Sequence, residues 1–119
     1  SAAQRVASSL ELQSSLYEAQ SLVVDAEAGQ RGFLLTGRDE YLVPYREAQP
    51  KIDQALTRVR ELTRSIGSPE MRDSAARLQT LVGKKLAEME AESRRKAWKV
   101  LQDRFQENVA NLQSLLKAK

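Results

Sequence analysis

Apolar residues recur along the chain at steps of three and four with charged residues between them, a spacing that gathers them on one face of successive helices. A first helix is expected over about 3–36, with a stripe through Leu12, Leu16, Ala19, Val23, Ala26 and Phe33. At ~1.5 Å per residue it would be about 50 Å long. Gly37 can adopt the left-handed conformation that ends a helix, and Asp39 offers an N-cap for the next one. The second helix, about 39–66, places Leu42, Tyr45, Ala48, Ile52, Leu56, Val59, Leu62 and Ile66 on one side. Pro44 lies near its start, whereas Pro50 should remove a backbone bond and bend it. Ser68-Pro69-Glu70 reads as a restart, with a capping hydroxyl, a proline at the first helical position and an acid on the positive end of the helix dipole.

The first two stripes also predict each other. In a tight antiparallel hairpin about Gly37, facing residues have numbers that sum to roughly 75. Phe33 then meets Leu42, Gln30 meets Tyr45, Val23 meets Ile52, Ala19 meets Leu56 and Leu16 meets Val59.

From Pro69 onward only Gly83 interrupts the pattern. One helix over that length would reach about 76 Å, far beyond its neighbours. A turn within Glu92–Ala97 would divide it into a third helix, 69–93, and a fourth, 97–118, and this is the expected arrangement. The third would carry Met71, Ala75, Leu78, Val82, Leu86 and Met89, the fourth Trp98, Leu101, Phe105, Val109, Leu112 and Leu116. The expected fold is therefore all-α, a single-domain antiparallel up-down-up-down four-helix bundle. The alternative is one continuous helix in a swapped or intertwined dimer. Ser93-Arg94-Arg95-Lys96 are poor turn formers, which keeps that alternative open.

Composition narrows the chemistry. The chain of 119 residues is 41% hydrophobic and 29% charged, the profile of a water-soluble globular domain. It has no His and no Cys, so imidazole and thiolate metal ligands, thiol nucleophiles and disulfides are all missing. A di-metal bundle would need Glu-x-x-His motifs, so no metal or cofactor and no enzymatic activity are expected. The net charge of +3 is spread as mixed signs along helical faces, with Glu90–Arg94 and Glu92–Lys96 spaced to pair along a helix. Nucleic acid is not an expected partner.

One stretch, Asp25 to Tyr45, departs from the amphipathic pattern. Gly29 and Gly32 each weaken a helix by about 1 kcal/mol relative to Ala, which calls for a close approach of backbone or ligand to compensate. Gln30 occupies a stripe position where an apolar residue belongs, and Glu27 and Arg31 are spaced to pair. Asp25, Glu27, Gln30 and Arg31, with Tyr41, Tyr45 and Arg46 from the facing helix, form the candidate ligand- or signal-sensing site. Gly29, Gly32, Gly37 and Pro44 are its structural residues. A helix-packing patch held by a salt bridge and a tyrosine hydroxyl explains the same residues without a ligand.

Asp25-Ala26-Glu27, Gly29-Gln30-Arg31-Gly32, Leu34-Leu35-Thr36-Gly37 and Tyr41-Leu42-Val43-Pro44-Tyr45 together resemble the type-three CHASE domain. The resemblance continues more loosely through Leu56–Leu62 and Lys84-Lys85-Leu86-Ala87-Glu88. That family consists of extracytoplasmic sensor domains between two transmembrane helices of bacterial histidine kinases, chemoreceptors and diguanylate cyclases. It implies an antiparallel four-helix bundle, a periplasmic or extracellular location in a plasma-membrane receptor and flanking transmembrane helices as partners; a homodimer, through which one chain would report to the other, and an unidentified ligand or partner protein are expected beside it. Family members have a longer connection before the last helix than the direct passage from Glu92 to Trp98 here. An even number of antiparallel helices would bring both termini to one end, leaving the Asp25–Tyr45 block at the far tip. A cytoplasmic scaffold binding partner helices is the competing expectation.

Overall fold

The computed structural model describes residues 1–119. It is all-helical: α1 (Ala2–Thr36), a 3-10 turn (Asp39–Leu42), α2 (Val43–Ile66) and α3 (Pro69–Lys117). The connections follow the local chemistry. Gly37 takes the left-handed conformation (φ 69°), and its N–H bonds the carbonyl of Phe33 at 2.7 Å. Gly67 does the same after α2 (φ 82°), and the Ser68 hydroxyl accepts from the Met71 N–H at the start of α3.

The second helix starts later than the sequence predicts, and Asp39 does not cap it. Proline at position 44 has no N–H to offer the carbonyl of Glu40, which instead accepts from Val43 in a tighter 3-10 bond. Thr36 secures this corner by donating to the Gly32 carbonyl (2.7 Å) and accepting from the Arg38 N–H (3.1 Å). The helix continues through Pro50.

α1 and α2 form the antiparallel hairpin anticipated from their stripes. Phe33, Leu42, Ala19, Leu56 and Ile52 join one buried cluster with Ala26, Tyr45 and Ala48. Leu12, Val59 and Leu62 continue it toward the base, where Ala75 of α3 closes a second cluster. Leu16 is less buried than the other stripe members: at 38% exposed it edges a groove that Val59, Leu78 and Ala75 also line. Two glycines allow the close crossing at the tip. A Cβ on Gly29 would lie 2.7 Å from the Tyr41 carbonyl oxygen, and one on Gly32 would meet the Tyr41 ring.

The expected four-helix arrangement is not formed. No turn interrupts Glu92–Ala97, and α3 runs as one helix of 49 residues, about 73 Å long. Ser93-Arg94-Arg95-Lys96 contains neither glycine nor proline, and Arg94 pairs back to Glu90 across the segment at 3.2 Å. Helix is what this segment favours. Its second half therefore does not return along the bundle. α3 passes the tip where Val100 and Lys96 lie against Gly37, then projects about 25 Å further. The molecule is accordingly a rod of 85 × 20 × 16 Å, with the ends of α1 and α3 at opposite extremes rather than together.

The glycines make the packing testable. Gly29→Ala is expected to lose about 1–3 kcal/mol, because the obstacle is backbone. Gly32→Ala should cost less, since the Tyr41 ring is partly exposed and can move. Gly83→Ala meets nothing within 4 Å and should gain up to about 1 kcal/mol of helix propensity. Denaturant melts of the three variants check this order, and a Gly29→Ala protein as stable as Gly83→Ala would contradict the close crossing.

Candidate functional site

The block from Asp25 to Tyr45 lies at the tip of the α1–α2 hairpin, where α3 crosses it. α3 divides the polar residues of the block among three grooves. Asp25 is exposed and lines the α1–α2 groove with Gly29, Pro44, Glu47 and Lys51.

Glu27, Gln30 and Arg31 line a second groove, of about 320 Å³, between α1 and α3. Glu27 does not pair with Arg31 as its spacing predicts; it takes Lys85 of α3 at 3.1 Å. Gln30 does not turn toward Tyr45. Its amide nitrogen donates to the Met89 carbonyl (3.1 Å) and to Glu92 Oε2 (3.4 Å). A buried amide at an apolar position thus has a clear reason, as it ties α1 to α3. Glu92 is occupied there and makes no ion pair with Lys96. Arg31 is left exposed with no ion pair, at the edge of a groove that also carries Glu88 and Glu92.

Tyr45 and Arg46 line the third groove, between α2 and α3. The buried Tyr45 hydroxyl donates to Glu90 Oε2 at 3.0 Å, and Glu90 Oε1 accepts from Arg94 Nε at 3.2 Å. Beside this relay the buried Ser93 Oγ has no hydrogen-bond partner. Tyr41 is partly exposed and covers Gly32. Burial of the Tyr45 phenol, reinforced by its bond to the Glu90 carboxylate, pushes its pKa up to about 12.

The α3 contributors Lys85, Glu90, Glu92 and Ser93 lie outside the residues singled out from sequence. Their charges read as ordinary pairs along one helix, and only Gln30, a polar residue in an apolar stripe, signalled that another helix would meet it. No group of three or more Asp or Glu side chains is placed to hold a metal ion. No helix is long and apolar enough to cross a membrane.

The chain is thus a rod of long helices with a polar tip and a glycine-packed corner. The CHASE3 domain family matches residues 2–118, essentially the whole chain, and the protein belongs to that family. CHASE3 domains are extracytoplasmic sensory domains of receptors. Among curated proteins and among solved structures, nothing matches the chain.

The Tyr45–Glu90 bond predicts a pH response. The folded pKa lies above the unfolded value, so the folded protein retains a proton that the unfolded chain would release. The stabilisation is complete below about pH 10 and is lost as pH rises through about 12. Ultraviolet difference titration against Tyr45→Phe should place the Tyr45 phenolate signal near pH 12. A signal near pH 10 would mean that the phenol is neither buried nor bonded to Glu90.

Proposed function

We propose that the protein is the periplasmic or extracellular sensory domain of a bacterial transmembrane receptor, a sensor histidine kinase first among the receptor classes, without enzymatic activity of its own. Membership of the CHASE3 family carries this reading. The stimulus enters at the tip, through the polar groove residues Asp25, Glu27, Gln30, Arg31, Tyr41, Tyr45 and Arg46. Arg31 and Arg46 are exposed charges without an ion pair, and Ser93 adds a buried unpaired hydroxyl, so these grooves retain hydrogen-bonding capacity that the fold does not use.

Output is helix displacement. α3 touches the tip through Met89 and Val100 and the base through Ala75, so a shift of 1–2 Å at one end is carried along a continuous helix to the other.

The full-length gene should encode an apolar span shortly before Ser1 and another shortly after Lys119; polar flanks on both sides would contradict the receptor reading and favour a cytoplasmic scaffold. Arg31→Ala should change stability by less than about 0.5 kcal/mol, because the side chain is exposed and unpaired, while reducing the response of the full receptor. An unaltered response would remove Arg31 from the site. A small molecule that raises the melting temperature of the isolated domain, and does so less for Arg46→Ala, would identify the ligand class.

A further inference from the structure

The second half of α3 carries the largest unpaired apolar surface of the molecule. Trp98, Leu101, Phe105, Leu112, Leu115 and Leu116 are each at least 58% exposed. At on the order of 120 Å² apiece they expose about 700 Å², more than the largest patch of a typical monomer. The first half of the same rod carries the complementary feature. An apolar trench of about 450 Å³ runs between α1 and α3, lined by Leu16, Val23, Leu78 and Val82. It is the position a fourth helix would occupy.

We infer that the trench is filled by the second half of α3 from a second copy of this chain, each copy giving its helix to the other in a two-fold exchanged dimer. Three observations select this occupant. The stripes match in register: for antiparallel α3 helices whose facing residue numbers sum to about 190, Val109 meets Val82 and Leu112 meets Leu78, both of which line the trench. The charges match as well. Between Val6 and Gln30, α1 carries Glu11, Glu18, Asp25 and Glu27 and no basic residue; Arg58 and Lys85 already pair with Glu11 and Glu27, which leaves Glu18 and Asp25 to face a segment, Arg94–Lys119, with seven basic residues against two acidic ones. Two stripes and two trenches together bury on the order of 2,500 Å², beyond the ~1,600 Å² of a standard stable interface.

The other ways of covering the stripe fit less well. Parallel pairing of two stripes would leave both trenches open and set two strongly basic segments side by side. Folding back within one chain would require breaking α3 in a segment with no glycine or proline and losing the Glu90–Arg94 pair. The exchange places the two-fold axis near Arg95 and rests on packing and charge alone, independently of the receptor reading. The exchange is stated for the isolated domain, with no spans holding its ends.

Light scattering after size exclusion should give twice the chain mass of 13.4 kDa, and Phe105→Asp should halve it while the helical signal of the α1–α2 hairpin persists. The chain has no cysteine, so single thiols report the geometry. Arg95→Cys should crosslink two copies across the axis, and Leu112→Cys should not, since the two positions lie at opposite ends of the assembly. A wild-type mass of 13.4 kDa, a Phe105→Asp dimer, absence of the Arg95→Cys crosslink, or self-crosslinking at Leu112→Cys would each overturn the exchange.

Discussion

The structure depends on how closely α2 can approach α1 at the tip. With glycine at position 29, the backbone of Tyr41 lies where a side chain would otherwise stand, and the register of the hairpin follows from that contact. Once Phe33 meets Leu42 there, the i, i+3 and i+4 spacing carries the match down through Ala26, Ile52 and Leu56 without further instruction. The cost of glycine in a helix, about 1 kcal/mol each, is offset by the packing it admits. α3 then finds a ready-made surface, to which Gln30, Glu27 and Tyr45 fasten it by polar contacts from two different helices.

Two packed helices and a third laid over them bury few residues for a chain of this length. Only 20 of 119 residues are buried, and they concentrate along the α1–α2 seam. A rod this thin leaves one side of α3 and one side of α1 without apolar partners, which is why the exposed stripe and the open trench occur together. The stripe lies on the second half of α3 and the trench beside its first half, and helix continuity at Ser93–Lys96 keeps them apart in a single chain.

Much of the fold was legible in the sequence because its signals are local. Ser68-Pro69-Glu70 states a helix start in three residues, Gly37 and Gly67 state two ends, and the paired stripes state an antiparallel hairpin. The turn at Glu92–Ala97 was expected from chain length and family resemblance, against the local chemistry of Ser93-Arg94-Arg95-Lys96, and the local chemistry prevailed. The site was legible only in part. Its α1 and α2 members stood out through glycines and an anomalous glutamine, but Glu90 and Lys85 look like any surface charges on an amphipathic helix until the helix they face is known. Pairing rules for charges four apart predicted Glu27 with Arg31, and a tertiary partner displaced it.

A continuous α3, passing the tip without a bend, is the feature from which the rod shape, the separated termini and the open trench all follow. Spin labels at Thr80→Cys and Asn111→Cys, in domains diluted with unlabelled chain so that only distances within one chain register, read it directly. The account predicts a separation of about 45 Å from the helical rise. A distance of about 10–15 Å, the spacing of neighbouring packed helices with their labels, would show the second half of α3 folded back and would contradict it.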